Sequence, residues 1–209
     1  RNAADVVLRR TLALVGARTT LAASALLVAV GVLLVLRERR RDPTPLVGRY
    51  FAWMLGESAV LALLFGGVVG SLTRLVLAPL AGGAAPSDGA AVLATGAAPG
   101  LGAQLVLSLG AGLYEELLFR VLLIPALALA LRAAGMERAP ASVTAALLSA
   151  LAFSAAHYVG PMGDPFALGS FVFRFLGGLA FAAILVLRGF GIAAWTHALY
   201  DVFLTLGGA

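Results

Sequence analysis

The stretch "TTLAASALLVAVGVLLVL" occupies residues 19–36 and carries no charged side chain. As a helix rising about 1.5 Å per residue it is about 27 Å long, close to the ~30 Å hydrocarbon core of a bilayer. "RERRRDPTP" (37–45) then closes it with a positive block and two prolines, a stop signal for a helix leaving a membrane. Further apolar runs follow at about 50–80, 101–131, 142–159, 166–187 and 190–206. None alternates polar with apolar, so the runs read as helices rather than barrel strands. Lipid admits only structures that satisfy every backbone group internally. The expectation is an all-α, polytopic transmembrane helix bundle of about six spans.

Composition agrees. Of 209 residues, 61% are hydrophobic and 12% charged, with a mean hydropathy of +1.01. A soluble domain has about 45–50% apolar and about 25% charged residues. The net charge is +5 and all 15 basic residues are arginine. In so apolar a chain this sets topology rather than binding nucleic acid, which is not an expected partner. With no cysteine there is neither disulfide nor thiol chemistry. Abundant alanine, glycine and arginine without lysine suggests a GC-rich bacterial genome, hence a bacterial inner membrane.

Residues 1–18, with Arg1, Arg9, Arg10 and Arg18, read as a basic interfacial lead-in. The chain opens on arginine, so an upstream segment can be missing. Residues 19–209 form one domain. Within it, 81–100 is a glycine- and proline-rich loop, expected to be mobile. The stretch 50–80 is longer than one span needs and should tilt or extend into the interface. Arg37, Arg39, Arg40, Arg41 and Arg49 fall on the same side as Arg132, Arg138 and Arg188 if six spans alternate, which puts the loops 37–49 and 132–141 in the cytoplasm. The four arginines of the lead-in lie on the opposite side and argue against it.

Ionisable groups inside spans cost about 2.5–3.5 kcal/mol each near the bilayer centre, so they mark function by default. Six stand out: Glu115, Glu116, Arg120, His157, His197 and Asp201. In "EELLFR" (115–120), Glu116 and Arg120 are four apart and share a helix face, whereas Glu115 is rotated about 100° away, with Ala111 and Phe119 as its same-face neighbours. A carboxyl in apolar surroundings titrates higher than in water, which suits a general base near neutral pH. A structural ion-pair network joining two helices explains this stretch equally well. "FSAAH" (153–157) sets Phe153 one turn before His157; alone, such a histidine is more often a packing residue than a catalyst. "HALYD" (197–201) sets His197 one turn before Asp201, an acid that can orient the ring, share a metal, or merely form a local pair. Together the three constellations supply a base, imidazoles and an oxyanion or metal site, the parts needed to hydrolyse an amide.

In this order, on three spans, "EELLFR", "FSAAH" and "HALYD" resemble EExxxR, FxxxH and HxxxN/D of the CAAX protease and bacteriocin-processing family of intramembrane endopeptidases. That family includes the Ras-converting CAAX endopeptidase and bacterial abortive-infection-type members. The resemblance covers residues 101–206. It implies that Glu115 activates water with help from His157, that Glu116 and Arg120 support the site along with Phe153, and that His197 and Asp201 stabilise an oxyanion. Asp201 departs from the asparagine of the eukaryotic enzymes: an ionised carboxylate only accepts hydrogen bonds. It would have to act protonated, orient His197 as donor, or bind a metal. No HExxH is present, and a metal-free, glutamate-dependent mechanism is the expectation; were zinc bound, its ligands would be His157, His197, Asp201 and Glu115. The implied substrate is a membrane-embedded peptide or lipidated protein: a prenylated CAAX-like sequence, a bacteriocin or a C-terminal tail. The glycines at 177–178 and 189–191 and the loop 81–100 are candidate gates for it. A non-catalytic membrane immunity or scaffold protein of the same fold is the alternative. A transporter or a haem held by His157 and His197 fits the adjacent glutamates poorly.

Overall fold

The computed structural model describes residues 20–43, 45, 47–80, 100–159 and 163–207. The lead-in 1–18 and the loop 81–99 lie outside the described residues. Among those described the architecture is wholly helical. Helix α1 spans Thr20–Arg41 and α2 Gly48–Leu77, the latter running into a 3-10 turn at Ala78–Leu80. Helix α3 (Leu101–Glu115) continues through a π-helix (Glu116–Leu123) into α4 (Ile124–Ala133). Then come α5 (Arg138–Ala156), α6 (Leu168–Arg188) and α7 (Phe190–Gly207). These rods coincide with the six apolar runs. Three of them, α2, α5 and α6, are long and apolar enough to cross a membrane by length and composition. At 30 residues, α2 is about 45 Å long, against a core of about 30 Å, as its apolar run implied.

The distribution of side chains is that of a helix in lipid. The buried face of α2 is Ser58, Ala62, Phe65, Val69, Thr73 and Leu77, at helical spacing. Its exposed face carries Leu63, Leu64, Val68, Leu72 and Leu75. Leucine and valine make up the outward face, and Ser58, Ala62 and Thr73 share the inward face with Phe65, Val69 and Leu77; small and weakly polar residues at such contacts let helices approach closely where lipid is as apolar as leucine.

Helix α7 is the hub, packed against α2, α3 and α6. Its backbone approaches that of α3 closely. A Cβ at Gly112 would lie 2.5 Å from the Ala198 nitrogen and 2.6 Å from the Ala194 oxygen. Only glycine fits there, and the contact presses the end of α3 against the His197 turn of α7. Gly112→Ala is expected to lower stability by about 1–3 kcal/mol through overpacking, and to cost activity as well. Thermal unfolding in detergent, run alongside a cleavage assay, checks both. In the first third of α2, Glu57 receives both the Nε (2.5 Å) and Nη2 (2.6 Å) hydrogens of Arg188, joining α2 to the last turn of α6.

Phenylalanines link the helices within a core otherwise rich in alanine. Phe65 of α2 stacks on Phe181 of α6 at 4.3 Å, and Phe181 stacks in turn on the His197 ring at 4.4 Å. Phe119 and Phe153 meet edge to face at 5.4 Å.

Candidate active site

Two consecutive glutamates on an α-helix point about 100° apart, so the sequence suggests separate destinations for Glu115 and Glu116. The structure brings both to one histidine. Glu115 ends α3 and Glu116 begins the π-helix, whose wider turn is a feature often found at functional sites. The His197 ring lies between the two carboxylates. Its Nδ1 is 2.8 Å from Glu116 Oε1, and its Nε2 is 3.7 Å from Glu115 Oε2. Asp201, one turn on in α7, brings its Oδ2 to 3.8 Å from the same Nε2. Three carboxylates from two rods therefore surround one imidazole.

The setting is dry. Glu116 is 0% exposed, Glu115 2%, Arg120 2% and His197 5%. Asp201 and His157 are half-buried. Arg120 Nη1 stands 3.3 Å from Glu116 Oε1, the oxygen that also receives His197, so the predicted Glu116–Arg120 pair forms and is shared. The guanidinium lies 4.1 Å over the Phe153 ring and 5.5 Å from that of Phe181, where a cation gains from the ring faces. Its Nη2 points to the Gly178 carbonyl at 3.5 Å. Phe153 is thus a wall shared by Arg120, His157 (5.0 Å) and His197 (6.0 Å).

Ser149 of α5 donates to the Phe119 carbonyl at 2.5 Å. The acceptor lies in the π-helix, and the donor reaches it from the facing helix α5. Ser149→Ala leaves that buried carbonyl without its side-chain donor. The expected cost is about 1–3 kcal/mol, measured by thermal unfolding.

His157 lies just past the end of α5 rather than within a span, because the helix stops at Ala156. Its Nδ1 is 2.9 Å from the Phe153 carbonyl. A carbonyl only accepts, so Nδ1 carries the hydrogen, and in the neutral ring Nε2 keeps its lone pair. The same reasoning at His197 puts a hydrogen on Nδ1 when Glu116 is ionised. A second proton on Nε2 makes the imidazolium, with the carboxylates of Glu115 and Asp201 beside it. At 3.7 Å, Glu115 Oε2 and His197 Nε2 are too far apart to bond directly, but one oxygen fits within about 2.8 Å of both.

Of the residues singled out in the sequence, Glu115, Glu116, Arg120, Phe153, His197 and Asp201 meet around the His197 ring. His157 adjoins them through Phe153 and within electrostatic range of Glu115. The orienting contact to His197 Nδ1 comes from Glu116; Asp201 faces the other nitrogen. Arg174, inside the apolar run 166–187, is a charged neighbour of the site that is not among those six residues. It pairs with Asp164 at 2.5 Å and lies within electrostatic range of His157 and Asp201. Its signal was available, since any arginine inside an apolar run invites a functional reading.

A zinc ion on the set Glu115, His157, His197 and Asp201 needs donors about 2.0–2.2 Å from the metal. Among the described residues no group of three or more is arranged to hold one.

The family model for type II CAAX prenyl endopeptidase Rce1-like proteins matches residues 97–203, just over half of the chain and the part that carries every residue around His197. The chain belongs to this family. At family level it is a CAAX-type intramembrane protease, and its membrane-length apolar helices make it an integral membrane protein. No curated protein and no solved structure matches the chain.

Proposed function

We propose that this protein is an endopeptidase that cuts a peptide bond of a membrane-associated substrate with a glutamate-activated water. The observation that carries the reading is the convergence of Glu115 Oε2 and Asp201 Oδ2 on Nε2 of a buried histidine whose Nδ1 is held by Glu116. Glu115 takes one proton from water, while the O–H that remains donates a hydrogen bond to His157 Nε2 and stays on the oxygen. The hydroxide oxygen bonds to the scissile carbonyl carbon, and the carbonyl π electrons move to its oxygen. That oxyanion receives a hydrogen bond from His197 Nε2–H. The C–N bond then breaks, and the proton held by Glu115 leaves on the amine. Glu116 fixes the His197 ring, and Arg120 balances the buried carboxylate. Asp201 beside Nε2 balances the imidazolium.

The substrate in this reading is a peptide held at the bilayer: a prenylated CAAX-like C-terminus, a bacteriocin or a C-terminal tail. The family match supports a membrane-associated peptide as the class. The lysine-free, alanine- and arginine-rich composition supports a bacterial inner membrane as the setting. The test uses purified protein in lipid bilayers with three quenched peptides: a prenylated CAAX peptide, its unprenylated form and a lipid-embedded peptide. Cleavage of a membrane-held peptide, unaffected by chelator, is expected. No cleavage of any peptide refutes the reading. Loss with chelator and recovery with zinc overturns its metal-free part and makes His157, His197, Asp201 and Glu115 the ligands to examine.

A further inference from the structure

Glu115, His197 and Asp201 are held inside helices, but His157 is not. It follows the last residue of α5, and helix ends fray unless tied. Its ring is useful only while Nδ1–H stays on the Phe153 carbonyl, because that bond fixes the tautomer and aims Nε2.

The ties come from α6 and the segment before it. Ser154, in the last turn of α5, donates to the Phe171 carbonyl at 2.7 Å. The Asp164 backbone N–H donates to the His157 carbonyl at 2.9 Å. The Asp164 carboxylate receives Arg174 Nη2 at 2.5 Å. The same guanidinium lies 5.2 Å from the centre of the Tyr158 ring, the next residue after His157. Tyr158 also packs against Phe166 and Phe171. Arg174 thus grips both the residue after His157 and the residue bonded to its carbonyl. The side chains of Arg174 and Asp164 are only 24% and 30% exposed, so the pair is sheltered from the screening that weakens surface ion pairs.

We propose that Arg174 is a positioning residue for His157, acting through Asp164 and Tyr158 to hold the imidazole in one tautomer and one direction at the catalytic centre. This rests on the reading of His157 as the group that orients the attacking water.

The chain has two histidines, so protein labelled with 15N-histidine gives two resolvable sets of imidazole signals. The wild type is expected to show His157 as a single Nδ1–H tautomer. In Arg174→Gln and in Asp164→Asn the His157 signals move toward a tautomer mixture while those of His197 stay in place; Arg174→Lys keeps the wild-type pattern. In the cleavage assay Arg174→Gln lowers kcat by about 10–100-fold, the scale of a misplaced catalytic group, with KM within about threefold. In a His157→Ala background the same substitution changes the rate by less than about twofold, because it acts through the missing ring. Unchanged His157 signals in Arg174→Gln overturn the proposal. So does a joint shift of both histidines, which makes Arg174 a general support of the fold. A protein that cuts no peptide refutes the proposed function, yet the 15N spectra still decide the role of Arg174.

Discussion

Glu115→Gln is expected to reduce peptide cleavage by about 10³–10⁴-fold, the upper part of the range for removing a general base. The substitution keeps the volume and shape of the side chain and replaces a proton acceptor with an amide. Glu115 is 2% exposed, so the swap leaves no cavity and exposes no surface. The Nε2 of His197, 3.7 Å away, keeps a polar neighbour. Helix content, membrane insertion and unfolding temperature should stay at wild-type values, which separates lost chemistry from lost structure. Wild-type turnover in this variant would sink the glutamate mechanism.

Arg120→Met should have the largest effect on stability. Glu116 is fully buried, and its Oε1 is held by Arg120 Nη1 at 3.3 Å and His197 Nδ1 at 2.8 Å. Removing one partner of a buried ion pair leaves a charge that water cannot reach, at a cost of about 3–5 kcal/mol. The contact with the Phe153 ring at 4.1 Å is worth about 0.5–2 kcal/mol more. Replacing both members, as Glu116→Leu with Arg120→Met, should recover most of the stability, since apolar substitutes for a buried pair are often neutral. Activity should not recover, because His197 then lacks the acceptor that fixes its tautomer. Thermal unfolding and cleavage of the two variants separate the roles: if the double variant were active, Glu116 would matter only as Arg120's partner.

The helices could be read from sequence because lipid imposes one rule on every backbone group. An uncharged run such as 19–36 has no stable alternative to a helix there. Local pairs were legible for the same reason: Glu116 with Arg120, Phe153 with His157, and His197 with Asp201 are each one turn apart. Contacts between rods were not. The meeting of Glu116 with His197 depends on Gly112 letting α3 approach the α7 backbone, and on a π turn that no local pattern announces. The bond from Ser149 to Phe119 depends on the same turn and on α5 packing beside it. His157 was expected inside a span, but α5 ends at Ala156, and the "HYVGPMGDP" that follows (157–165) holds two prolines and two glycines that mark the end of a helix.

The central claim is that a membrane-held peptide is cut by water activated at Glu115 beside His197. The most direct measurement is mass spectrometry of a prenylated CAAX peptide and a lipid-embedded peptide, incubated in bilayers with wild-type or Glu115→Gln protein in 18O-labelled water. The account predicts one cut, with one 18O in the new carboxyl group, for the wild type only. Intact peptides with the wild-type protein, or equal labelled product from both proteins, would contradict it.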